Sequence, residues 1–169
     1  MLLVDLGSGR QAMEVPNHVH IDIVDLPHIE WVWDLNYGLP KVDMSQDGYE
    51  PTSSYNAFDD NTIDEFRAHH IFEHIEVRNF IPLLNEIWDA LKAGGVLKIY
   101  VPNGHHIKAA WSDPTHVRCF TIDTFGYFTR EGYNAFAYTD KIWHYIKEPT
   151  INGEPNDQWE IECWLSPDK

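Results

Sequence analysis

Leu2-Leu3-Val4-Asp5-Leu6-Gly7-Ser8-Gly9 is an apolar run that takes in a carboxylate and ends in a pair of glycines. A buried parallel strand delivers its backbone into a tight turn against a ligand in this way. Glycine is required there because a Cβ restricts φ and blocks close approach. A second short apolar stretch, His18-Val19-His20-Ile21-Asp22-Ile23, also carries an acid near its end. Asp22 stands seventeen residues after Asp5, close to the roughly 20-residue offset at which nucleotide-binding α/β folds place a carboxylate on a ribose diol. Gln11 stands near the place of the third glycine of Gly-x-Gly-x-x-Gly, so that pattern is not met. A nucleoside cofactor without phosphates fits this turn better than a pyrophosphate.

Outward from this turn, the pattern alternates strands and helices. Leu2 to Asp5, Val19 to Ile23, Trp31 to Trp33 and Ile63 to Ala68 read as strands. Residues 41–62 are rich in Asp, Ser, Asn, Gly and Pro and read as a long loop of the kind that is usually functional. Phe80, Leu83, Leu84, Ile87, Trp88 and Leu91 repeat at helical spacing, and Ala93-Gly94-Gly95 is expected to stop that helix. Val96 to Val101 follows as a buried strand, and Thr121 to Phe128 carries a second helical pattern. Ile142 to Ile146 and Trp159 to Trp164 alternate like strands around a loop from Glu148 to Asp157, which predicts a terminal antiparallel hairpin. Only Arg10 to Asn17 separate the glycine turn from the second strand, room for a helical turn or two, so one sheet face should be thinly covered. The whole implies one α/β domain over 1–169 with a mostly parallel sheet and helices on both faces.

Five segments in order resemble the class I S-adenosylmethionine-dependent methyltransferases. Val4-Asp5-Leu6-Gly7-Ser8-Gly9 looks like their first motif and Ile21-Asp22-Ile23 like their ribose-binding acid. Trp33-Asp34-Leu35-Asn36, then Leu39-Pro40, is similar to the adenine-side motif. Ile63 to Ile75, ending Phe72-Glu73-His74-Ile75, looks like the fourth strand and its continuation. Leu91 to Asn103 resembles the segment that runs through Gly-Gly into the fifth strand. Asp113-Pro114-Thr115-His116-Val117-Arg118, then Phe120-Thr121, resembles small type-11 methyltransferases. The resemblance implies a Rossmann-like three-layer sandwich, S-adenosyl-L-methionine as cofactor, and methyl transfer as activity.

In an open α/β sheet, ligands lie at the carboxyl ends of the strands. With the resemblance, this implies cofactor contacts at Asp5, Gly7, Ser8, Gly9, Asp22, Ile23, Asp34, Leu35, His69 and His70. His70 and His116 are the expected catalytic bases if the acceptor is a hydroxyl, because imidazole titrates near neutral pH. His74, Asn103 and Arg118 are expected to bind substrate, and no metal is expected. A small-molecule or glycan acceptor suits the tryptophans and the loop tyrosines Tyr49 and Tyr55.

Two other readings compete. His70-Ile71-Phe72-Glu73-His74 fits the H-x-x-E-H pattern of inverted zinc peptidases, but no downstream carboxylate is clearly placed as third ligand. A non-catalytic module that kept the nucleoside pocket is the other. A net charge of −15 opposes a phosphate backbone, so nucleic acid is disfavoured as substrate. Cys119 and Cys163 are too few for a disulfide framework. No signal peptide and no apolar run of about 20 residues is present, so the chain reads as cytoplasmic, with a homo-oligomer possible.

Overall fold

The computed structural model describes residues 1–10, 18–43, 54–154 and 157–169. In chain order the strands begin with β1 (Leu3–Leu6), β2 (His18–Asp22), β3 (Trp31–Val32), β4 (Lys41–Asp43), β5 (Ser54–Asn56) and β6 (Ile63–His69). Helix α1 (Val77–Ala90), β7 (Leu91–Pro102), α2 (Ile107–Trp111), α3 (Arg130–Phe136), β8 (Trp143–Asn152) and β9 (Glu160–Pro167) complete it. The main sheet has seven strands in the order β3-β2-β1-β6-β7-β9-β8. β3, β2, β1, β6 and β7 pair in parallel, and β9 pairs antiparallel with both β7 and β8. The α/β class, the mostly parallel sheet and the terminal antiparallel hairpin therefore agree with the sequence.

The central strand β1 suits a parallel sheet covered on both faces. All of Leu-Val-Asp-Leu in β1 is buried, as expected of a strand covered on both faces. Val4, Leu6, Ile21, Phe66, Leu97 and Ile99 share one core with Phe80, Leu83, Leu84 and Ile87 of α1. Those four helical residues recur every three or four positions and turn one stripe of α1 inward. Between β2 and β3 the chain makes only turns and bends.

Four local expectations are corrected. The segment 41–62 is not all loop: β4 and β5 form an antiparallel ribbon, with Lys41 opposite Asn56. Strands of three residues carry no readable period. Residues 44–53, including Tyr49, and the expected short helix within 10–17 fall largely outside the described residues. Helix α1 ends at Ala90 rather than at the glycine pair, because Leu91 already pairs with Ile63. The ladder resumes at Glu65 opposite Val96, so Lys92 to Gly95 bulge out between. The second helical pattern, Thr121 to Phe128, shrinks to a 3-10 turn, Thr124–Phe128, and α3 follows beyond it. Thr129 separates them, its amide and hydroxyl both donating to the Gly126 carbonyl (3.2 and 2.8 Å). Finally, β8 runs on to Asn152. Pro149 is tolerated because β8 is the sheet edge and its register shifts between Lys147 and Thr150.

The two thiols differ sharply. Cys163 on β9 is fully buried, and burial pushes its pKa up, whereas Cys119 is exposed. Iodoacetate at pH 8 is expected to label Cys119 in the native protein and Cys163 only in denaturant. Peptide mass mapping checks this, and native labelling of Cys163 would mean β9 is not packed as described. Among the described residues, no helix is long and apolar enough to cross a membrane.

Candidate functional site

β1 ends in a turn that only glycine makes without strain. Gly7 has φ +68° and Gly9 φ +61°. A Cβ on Gly7 would lie 2.8–2.9 Å from the Ile71 side chain, whereas none of the atoms around Gly9 lies within 4 Å of its Cβ position. The amides of Gly7 and Ser8 donate to the Ile21 carbonyl at 2.8 and 3.2 Å, folding the turn over β2. The Gly9 amide donates to Asp22 Oδ2 and the Val24 amide to Asp22 Oδ1, each at 2.8 Å. Asp22 is thus fixed at both oxygens, and each oxygen keeps a lone pair for another donor.

A cleft of about 510 Å³ opens beyond this turn, within the usual range of about 300–1,000 Å³ for small-molecule sites. Its floor is Gly7, Gly9, Asp22 and Ile23, and one wall is Trp33, Asp34, Leu35 and Asn36. His70, Ile71, His74, Ile75 and Thr115 form the other wall. The first wall is shaped locally: Asp34 Oδ1 accepts from the Asn36 amide (2.9 Å) and side chain (3.1 Å), and Trp33 Nε1 donates to the Gly38 carbonyl (3.0 Å).

His70 sits at the end of β6 with φ +55°, a left-handed conformation unusual for a side chain of this size. It is held there by two carboxylates: Nδ1 lies 3.1 Å from Glu73 Oε1 and Nε2 3.0 Å from Glu160 Oε2. The Trp159 ring stacks on it at 5.5 Å between centroids. Burial alone would lower the imidazole pKa, but Glu160 and Glu73 overcome it and raise the value to about 9. Burial of Glu160 is likewise outweighed, by hydrogen bonds from His69, His70 and Asn152, so its carboxyl stays well below the ordinary range.

This clamp makes a pH prediction for stability. The His70 proton is bound more tightly folded than unfolded, so its contribution is whole below the ordinary pKa of 6.5 and lost as pH rises through about 9. The Glu160 contribution is present above 4.5 and lost as pH falls toward its depressed value. Urea unfolding with chelator present should show a loss on the order of 1–2 kcal/mol between pH 6.5 and 9.5 that His70→Gln removes. An identical alkaline slope in that variant would show that His70 is not the titrating group.

Of the residues expected at the site, Gly7, Gly9, Asp22, Ile23, Asp34, Leu35, His70 and His74 line one cleft. The other six do not line it. Asp5 is buried beside His20, 3.7 Å from its Nδ1. The Ser8 hydroxyl turns back to the Asp5 carbonyl at 3.1 Å. His69 packs against His70 and Tyr100 and faces Glu160 at 3.5 Å. Asn103 has both ends of its amide occupied, by the Gln158 carbonyl (2.8 Å) and the His105 amide (3.0 Å). The Arg118 guanidinium lies 4.2 Å over the Phe80 ring and lines a separate cavity of about 260 Å³. His116 stands behind His74, their ring centroids 4.8 Å apart.

Two chemical expectations also change. His70 has both nitrogens on carboxylates, which raise its pKa to about 9 and oppose the expected role as a proton-accepting base near neutral pH. Nor do residues 70–74 form a helix: only Phe72–His74 makes a 3-10 turn, so His70 and His74 do not share a helical face. The inverted zinc-peptidase geometry is therefore absent from this stretch. Trp33, Asn36, Ile71, Ile75 and Thr115 also line the cleft, and none was singled out as a site residue although all five lie within the quoted motifs. Glu160 carried no sequence signal at all.

No protein-family model and no curated protein matches the chain. Solved structures do match, at 11–14% identity. One is a SAM-dependent methyltransferase from Archaeoglobus fulgidus, 13% identical over 96% of this chain and 84% of that one, with a TM-score of 0.53. A second is 1,6-didemethyltoxoflavin-N1-methyltransferase from Burkholderia thailandensis, solved with 1,6-didemethyltoxoflavin and S-adenosylhomocysteine. It is 11% identical over 99% of this chain and 71% of that one, with a TM-score of 0.56. The third is the plantazolicin methyltransferase BpumL, solved with a triazolic desmethylPZN analogue and S-adenosylhomocysteine, 14% identical over 99% of this chain and 76% of that one, with a TM-score of 0.57.

Proposed function

We propose, from the premise that the chain has the class I S-adenosylmethionine-dependent methyltransferase fold, that its cleft binds S-adenosyl-L-methionine and that the protein transfers a methyl group to a small-molecule acceptor. The observation that carries this reading is Asp22. Its carboxylate is pinned by the Gly9 and Val24 amides at the carboxyl end of β2, where an open α/β sheet receives a ribose. The wall from Trp33 to Asn36 then faces the base, and Gly7 lets the backbone come close.

The bound cofactor supplies an electrophilic methyl group on a sulfonium, and the protein's task is to align an acceptor with it and exclude water. Ile71 and Ile75 give the wall beside His70 and His74 an apolar lining, which favours a dry reaction space. Positioning is the main lever in this reading, because the carboxylates on both His70 nitrogens raise its pKa and oppose its use as a base. A small acceptor is supported by the cleft's size, by the chain's net charge of −15, and by the small molecules seen in two of the neighbours.

Calorimetric titration is expected to show one site of micromolar-range affinity for S-adenosyl-L-methionine and for S-adenosylhomocysteine. Transfer of labelled methyl from the cofactor to members of an acceptor library then tests turnover. No heat and no thermal shift with either nucleoside would overturn the assignment; binding without turnover across chemically varied acceptors would leave a nucleoside-binding module.

A further inference from the structure

We infer that Glu73, His74 and His116 form a binding site for one divalent first-row transition metal ion beside the cleft. One donor atom from each of these residues lies within 4.8 Å of the other two. His116 Nε2 is 4.0 Å from Glu73 Oε1. A tetrahedral ion with nitrogen and oxygen ligands at about 2.0–2.2 Å holds its donors about 3.4 Å apart, so only slight closure is needed. Two segments distant in sequence are already tied together there, since the Val117 amide donates to the Glu73 carbonyl at 2.9 Å.

Each imidazole is set with its outer nitrogen free. His116 Nδ1 lies 2.8 Å from the Ala110 carbonyl, which only accepts, so Nδ1 carries the proton and Nε2 keeps its lone pair. The Thr115 hydroxyl gives its proton to Asp113 at 2.6 Å and so accepts from His74 Nδ1 at 2.9 Å. In the neutral imidazole Nε2 of His74 is then the nitrogen with the lone pair, as in His116. This is how partners behind a metal-binding histidine fix its tautomer. Glu73 is occupied at one oxygen only: Oε1, the atom facing His116, lies 3.1 Å from His70 Nδ1. It is 1% exposed, and its Oε2 is buried without a hydrogen-bond partner among the described residues. A buried carboxylate oxygen left bare is costly, and a cation satisfies it.

A second cluster, His69, His70 and Glu160, has similar spacing. There both carboxylate oxygens are taken, Glu160 Oε2 by His69 and His70 and Oε1 by Asn152, whereas Glu73 meets His70 only through Oε1 and keeps Oε2 bare. Two imidazoles with one carboxylate favour borderline ions such as Zn²⁺ or Co²⁺ over Mg²⁺ or Ca²⁺. His74 and Thr115 also line the cleft, so open coordination positions on such an ion are within reach of a ligand there.

The test uses the full chain stripped with EDTA, with no nucleoside present, so its outcome is independent of cofactor binding. Titration with Zn²⁺ is expected to give one saturable equivalent and a rise in melting temperature, and Co²⁺ to give the visible absorption of a low-symmetry site. His74→Ala and His116→Ala should each weaken Zn²⁺ binding at least about 100-fold while keeping the metal-free far-UV spectrum, and Thr115→Ala about 10-fold. His69→Ala should leave it unchanged. Glu73→Gln also breaks the His70 clamp, so the histidine variants decide. Three results overturn the site: no saturable Zn²⁺ binding, binding that survives both histidine variants, or binding lost in His69→Ala instead.

Discussion

Gly7→Val is expected to abolish detectable binding of S-adenosylhomocysteine while the far-UV spectrum stays that of the parent. Two effects act at one position. A β-branched residue must adopt φ +68°, which costs on the order of 1–3 kcal/mol, and its Cβ must enter space 2.8 Å from the Ile71 side chain. Ile71 lines the cleft, so relief of the clash fills or distorts the space the ligand needs. Gly9→Ala is the informative contrast. Its Cβ meets no atom within 4 Å, so only the backbone cost of about 1–2 kcal/mol applies, roughly a tenfold loss. Calorimetry on both variants checks the pair. Parent-like binding by Gly7→Val would mean that the turn after β1 does not hold the ligand.

Asp22→Ala is expected to weaken cofactor affinity by at least about 1.5–3 kcal/mol, about 10- to 150-fold, the scale of hydrogen bonds to a charged group. The structure adds a second reason. The same carboxylate receives the Gly9 and Val24 amides, so its removal frees the loop it organises. Asp22→Asn is a poor rescue, because its amide group must point a donor at one of those two N–H groups. Competition titration with S-adenosylhomocysteine measures both. Unchanged affinity in Asp22→Ala would remove this residue from the site.

What was legible in the sequence was what is local. The glycine turn, the acid ending β2 and the stripe on α1 each depend on residues within a few positions of one another, and their side-chain periods report burial directly. The β4–β5 ribbon escaped because its two short strands pair across residues 44–53 and neither shows a period. Arg118 and Asn103 looked available because a charged or amide side chain after a strand resembles a ligand contact. Their partners, the Phe80 ring and the Gln158 carbonyl, lie far along the chain. His70 was read as a base for the same reason. Its charge state is decided by Glu160, a residue with no motif of its own.

The bond between His70 and Glu160 spans ninety positions, and that separation orders events in time. Loop closure over so long a stretch is entropically slow. A ribosome emits the β6 end well before it emits β9, so His70 leaves it without its second counterion. The clamp on His70 is therefore complete only once β9 is in place, whereas every residue lining the cleft lies between Gly7 and Thr115, ahead of the terminal hairpin. A chain that stops short of β9 carries all five parallel strands and every residue of the cleft lining, and lacks the carboxylate that completes the clamp.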